Sequence, residues 1–133
     1  MKDTQIVVVA EDDDELRELL LDALAGEHRR LVEVEDGSEL LDYLQFIAER
    51  GLEGSLPDLI LTDVRMPGAS GLDVVTWARA RGVRCPFLIL TGFVEEALVA
   101  EVLGDTVVLD KSEPLERIQH ATDVALSRVT RST

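Results

Sequence analysis

Five side chains of this 133-residue chain pair reactivity with position. Glu11 and Asp12 come directly after the apolar run Gln5–Ala10, Asp63 after Asp58–Thr62, Thr91 after Pro86–Leu90, and Lys111 just beyond Thr106–Leu109. Brought to one place, three carboxylates repel: two at about 4 Å cost roughly 4 kcal/mol at an effective dielectric of about 20. Such a group either raises its pKa values or recruits a cation. An all-oxygen donor set suits a hard ion. Mg²⁺ typically takes only about one or two protein carboxylates, with water and phosphate oxygens completing its octahedron. Lys111 adds a fixed positive charge for an anionic group, and Thr91 a hydroxyl donor for a phosphoryl oxygen. The combined chemistry is that of a carboxylate that accepts a phosphoryl group, with Mg²⁺ and the ammonium offsetting the charge that develops.

That chemistry requires elements that deliver the five residues to a common edge. Gln5–Ala10 reads as a strand buried on both faces. Leu16, Leu19, Leu20, Ala23 and Leu24 follow at helical spacing, with Asp13 and Asp14 suited to the helix start and Gly26 to its stop. Leu31–Glu35 alternates as a half-buried strand, Asp36-Gly37-Ser38 caps a second helix with Leu40, Leu41, Leu44 and Ile47 on one stripe, and residues 51–57 form a loop. Asp58–Thr62 is a third strand. A third helix carries Leu72, Val75, Trp77 and Ala78 and ends at Gly82. Pro86–Leu90, a short helix over Glu95–Leu103, Thr106–Leu109 and a last helix opened by Pro114 complete the alternation. Five strands alternating with five helices predict an α/β domain with a parallel sheet covered on both faces, and ligands bind outside the carboxyl ends of such strands. One common doubly wound arrangement has the strand order 2-1-3-4-5.

Composition narrows the function. A single Cys excludes a disulfide framework and a Cys-rich zinc site. The longest apolar runs are too short to cross a bilayer or to serve as a signal-peptide core, so the chain reads as cytoplasmic, with no membrane partner. The net charge of −14 repels nucleic acid. No G-x-x-x-x-G-K-[ST] loop is present, which disfavours a P-loop nucleotide hydrolase. His28 and His120 read as surface residues, Cys85 as a small core residue, and Trp77 as part of a packing face.

The motifs resemble the receiver domain of two-component response regulators, of the single-domain, chemotaxis-regulator type. Val8-Val9-Ala10-Glu11-Asp12-Asp13 is similar to that family's first strand and acidic pair. Asp58 through Gly68, with Gly71 beyond, resembles its phosphoacceptor strand and loop. Leu88-Ile89-Leu90-Thr91-Gly92 resembles the switch-threonine segment, and Leu109-Asp110-Lys111 the lysine segment. The resemblance covers nearly the whole chain. It implies a flavodoxin-like (βα)5 sandwich of order 2-1-3-4-5, one domain over residues 1–133 with its core at about 5–128 and a frayed tail at 129–133. Asp63 is then the phosphoacceptor. Asp12 is the main Mg²⁺ carboxylate, Glu11 acts mostly through water, and the Arg65 backbone carbonyl completes the protein ligands, with Mn²⁺ as a substitute ion. Thr91 bonds the phosphoryl group and Lys111 pairs with it. Phe93 overhangs the site.

The implied partners are a histidine kinase or histidine phosphotransfer protein upstream, as in a phosphorelay, and an unnamed protein downstream. The domain acts as a monomer or weak dimer, with no conventional enzyme activity beyond its own phosphorylation and slow dephosphorylation. Output uses the face of the fourth helix, fifth strand and last helix. The chain departs from the family pattern at three places. Ser112 and Glu113 separate Lys111 from Pro114, Val108 stands where the family carries an aromatic, and the loop 51–55 is longer. These departures motivate an alternative: a pseudo-receiver that binds proteins without phosphate. A haloacid-dehalogenase-type phosphatase is disfavoured, because Arg65 stands where its second aspartate belongs.

Overall fold

In the computed structural model, which describes residues 4–51 and 56–132, the first apolar run forms β1 (Gln5–Ala10) inside a sheet. β2 (Arg29–Val34) flanks it on one side and β3 (Leu59–Thr62) on the other, followed by β4 (Phe87–Thr91) and β5 (Thr106–Asp110). All neighbours are parallel, and the order is β2-β1-β3-β4-β5. The expected fold class and strand order therefore hold.

The β-branched and aliphatic runs are continuous because both sides of the sheet are covered. Val7 and Val9 face one layer, where Leu20 and Leu24 of α1 (Asp14–Leu24) meet Ile118 and Leu126 of α5 (Leu115–Ser132). Val8 and Ala10 face the other. There Leu40 and Leu44 of α2 (Gly37–Glu49) pack beside Val74, Val75 and Ala78 of α3 (Gly71–Ala80). Each fully buried Val, Leu or Ile side chain contributes about 1.5–3 kcal/mol. Among the described residues, no helix is long and apolar enough to cross a membrane.

Register carries this packing to the functional edge. Ala10 stands opposite Thr62, so Glu11 and Asp63 leave the sheet as neighbours, and the Asp63 amide donates to the Ala10 carbonyl at 3.4 Å. Thr91 stands opposite Asp110, and the Lys111 amide donates to the Thr91 carbonyl at 3.0 Å.

Several local expectations need correction. Leu19 is 52% exposed, whereas Arg17 is buried on the stripe with Leu20 and Leu24. Gly26 does not stop α1 with left-handed backbone: the chain turns at Ala25, which is extended with φ −58° and ψ 143°. Asp58 is not a strand residue; its carboxylate accepts the Ile6 amide at 2.7 Å and the strand starts one residue later. The short fourth helix divides into α4 (Val94–Ala97) and a 3-10 turn, Leu98–Leu103. The backbone of α5 is helical as far as Ser132. The long loop expected at 51–55 falls mostly on residues 52–55, outside the described residues.

Candidate metal and phosphoryl site

The five residues singled out by type converge at the carboxyl edge of β1, β3, β4 and β5. The carboxylate oxygens of Glu11, Asp12 and Asp63 lie within 4.8 Å of one another. Lys111 Nζ is 2.5 Å from Asp63 Oδ2 and 3.1 Å from Glu11 Oε1. Glu11 and Asp63 are buried, while Asp12 is exposed. An open depression of about 480 Å³ lies beside them, with Asp12, Val64, Arg65, Met66, Pro67 and Gly68 in its lining.

Three carboxylates face one ammonium here. Burial raises the Glu11 pKa above its ordinary value, and the Asp63 charge adds to the rise, while Lys111 and the Asp13 amide oppose it. Burial alone would lower the Lys111 pKa, but its hydrogen bond and charge interactions with Asp63 and Glu11 outweigh that effect and hold it above the ordinary value. The ammonium is therefore charged throughout the physiological range.

Backbone chemistry locks the acids in place. The Val64 amide donates to Asp63 Oδ1 at 2.6 Å, and the Asp13 amide donates to Glu11 Oε1 at 3.3 Å. Asp13 caps α1, its carboxylate accepting the Leu16 amide at 3.1 Å, so the first turn begins directly after the acidic pair. The loop after Asp63 returns tightly: a Cβ on Gly71 would stand 2.2 Å from the Asp63 carbonyl oxygen, so only glycine lets α3 start there. Ser70 and Asp73 close a reciprocal capping box at that start.

Thr91 is fully buried, and its Oγ1 accepts the Phe93 amide at 3.0 Å, which leaves the hydroxyl proton for another acceptor. Phe93 is 47% exposed, with the guanidinium of Arg65, a residue lining the depression, 3.7 Å from its ring centroid. That stacking was not foreseen. Neither was Arg17, whose Nη1 donates to the Glu11 carbonyl at 2.7 Å. His28 and His120 are exposed, and burial pushes the Cys85 thiol up to about 11, as surface and core readings predict.

The response regulator receiver domain profile matches residues 7–123. The chain belongs to the response regulator receiver domain family. It is 35% identical to the DNA-binding transcriptional regulator NtrC of Escherichia coli K12 over 86 residues, covering 65% of this chain and 17% of NtrC. It is 35% identical to the DNA-binding response regulator MtrA of Mycolicibacterium smegmatis over 118 residues, 86% of this chain and 47% of MtrA. The receiver thus spans less than half the length of either relative. Among solved structures, full-length FixJ from B. japonicum aligns with TM-score 0.78 and 28% identity, over 94% of this chain and 59% of that one. The receiver domain of Francisella response regulator 1452 shares the fold, with TM-score 0.78 and 20% identity over 94% and 98% of the two chains.

Two departures of this receiver from the family pattern have local explanations. Ser112 and Glu113 build a turn on Asp110, whose Oδ1 accepts the Ser112 amide at 2.9 Å and its hydroxyl at 2.8 Å. The Asp110 carbonyl accepts the Glu113 amide at 3.0 Å. The Ser112 amide and hydroxyl hold the Asp110 carboxyl below its ordinary range. This turn delivers Lys111 to Asp63 with two residues between the lysine and Pro114. Val108 is half-buried against the core layer of α2 and α3, with no ring to turn.

Proposed function

We propose that this receiver takes a phosphoryl group on Asp63 from a phosphohistidine donor, in a histidine kinase or a histidine phosphotransfer protein, and signals through phosphorylation-dependent docking to another protein. The observation that carries the reading is the 2.5 Å contact of Lys111 with Asp63 inside a knot of three carboxylates. The donor set is all oxygen and anionic, which fits Mg²⁺, and Mn²⁺ in its place. Asp12, Asp63, the backbone carbonyl of Arg65 and, through water, Glu11 would hold it. When bound, the ion offsets negative charge on the phosphoryl oxygens.

This chain's own residues do the rest. An Asp63 carboxylate oxygen forms the bond to phosphorus as the phosphorus–nitrogen bond breaks, and the electron pair leaves with the imidazole nitrogen. Lys111 keeps its proton and neutralises phosphoryl charge, since its partners hold its pKa high. Thr91 offers its free hydroxyl proton to a phosphoryl oxygen. Hydrolysis follows when water attacks phosphorus, releasing inorganic phosphate and restoring the Asp63 carboxylate. Phosphorylation then biases two states of the face formed by α4, β5 and α5.

The test is mass spectrometry after incubation with Mg²⁺ and a small acyl phosphate. Wild type gains one phosphoryl group and Asp63→Asn gains none. An unmodified wild type would instead support a docking module that works without phosphate.

A further inference from the structure

Arg17 is a buried guanidinium on an apolar helix stripe, a place where a charge is costly unless its hydrogen bonds are met. Its bonds run to the acidic edge. Nη1 donates to the backbone carbonyl of Glu11 at 2.7 Å, and Nη2 to Asp14 Oδ1 at 2.6 Å. Nε, which has no hydrogen-bond partner, lies 3.7 Å from Glu33, and Nη2 lies 3.9 Å from Glu35, so the end of β2 is drawn into the same group. The bond to Asp14 raises the Arg17 pKa further, so the group stays charged.

We infer that Arg17 is a positioning residue for the cation site: it fixes the peptide between Glu11 and Asp12 and thereby aims both carboxylates. The Glu11 side chain is tied by Lys111 and the Asp13 amide. Its carbonyl is tied by Arg17. With both ends of the residue held, the peptide that leads to Asp12 has one orientation. Asp12 is exposed, so the backbone is what aims it.

The inference rests on the cation reading above, and it predicts a sign that simple electrostatics does not. Removing a positive charge beside an anionic site should tighten Mg²⁺ binding. Loss of a positioning group should weaken it, typically about tenfold or more for partners that orient metal ligands.

Calorimetric titration of Mg²⁺, with no phosphodonor present, separates the two. Arg17→Met is expected to bind at least about tenfold more weakly. Arg17→Lys, which can still reach the carbonyl, is expected to recover most of the loss. In the cation-free variant Arg17→Met, the Asp12 and Asp13 amide resonances should shift. Equal or tighter binding by a folded Arg17→Met overturns the inference. If circular dichroism shows that this variant does not fold, Asp14→Ala is compared with Glu15→Ala. Both remove one exposed charge from the first turn, but only the former removes the acceptor of Nη2, so only a larger loss for Asp14→Ala supports positioning, and equal losses overturn it. No binding by wild type would instead remove the cation reading itself.

Discussion

Two aspartates bracket the third strand, and both are buried: Asp58 is 8% exposed and Asp63 5%. Asp58 lies at the amino end, where its Oδ2 accepts the Ile6 amide and its own amide donates to the Ile6 carbonyl, each at 2.7 Å. That exchange splices β3 to β1. Asp63 lies at the carboxyl end, with one oxygen on the Val64 amide and the other on Lys111, beside Glu11 and Asp12. Burial is therefore common to a structural carboxylate and the proposed phosphoacceptor. The difference lies in the company: Asp58 meets a backbone donor, whereas Asp63 also meets a side-chain ammonium and two further acids.

The sharpest contrast is expected in phosphoryl transfer. Asp63→Asn should abolish incorporation, whereas Asp58→Ala should leave the mass gain intact, both read by mass spectrometry of the intact protein. Next comes Lys111→Met, which removes charge stabilisation at the reacting group and should slow incorporation about 100- to 1000-fold at saturating Mg²⁺, measured by stopped time courses. Stability should reverse the ranking of the aspartates. Asp58→Ala leaves the Ile6 amide unsatisfied and should cost about 1–3 kcal/mol in urea unfolding. Mg²⁺ at about 100 times its Kd should add about 2.7 kcal/mol to wild type. That increment should persist in Asp58→Ala and shrink in Asp12→Asn.

The smallest effect is the pH dependence of Glu11. Its folded pKa is raised above the ordinary 4.5, chiefly by burial. The folded state therefore holds that proton more tightly than the unfolded chain does. The resulting stability is complete below the ordinary value and is lost as pH rises through the folded one. Glu11→Gln cannot titrate. Without Mg²⁺, the difference in urea stability between Glu11→Gln and wild type should move in favour of the variant as pH rises across that interval. No drift would mean that Glu11 is not held as this geometry requires.

Much of this was legible in residue order. Period-two and period-3.6 patterns separate strands from helices, and Glu11, Asp12, Asp63, Thr91 and Lys111 each follow a strand, so their meeting is implied once the strands are parallel. Other features were not. Leu19 reads as part of the apolar stripe and Arg17 draws no expectation, because periodicity measures apolarity and cannot count polar partners. The Glu11 carbonyl and the end of β2 supply those partners, and they come from two other elements. Asp58 looked like the first residue of a strand, because its acceptor role depends on an amide 52 positions away. The Asp110 turn was missed for a different reason: it is local, but a Ser-Glu insertion before proline does not declare which carboxylate closes it.

Local chemistry along the chain thus dictated the alternation of elements, the parallel sheet and the residue types available at its carboxyl edge, since each depends on near neighbours and on which side chains avoid water. Three-dimensional packing settled the rest. Strand register set Asp63 beside Glu11, a turn on Asp110 swung Lys111 over both, and one buried guanidinium gripped the peptide between the acids. The register rests on hydrogen bonds between groups far apart in the chain, and the turn and the guanidinium rest on which nearby acceptor each donor finds once the strands are packed; apolar periodicity encodes neither.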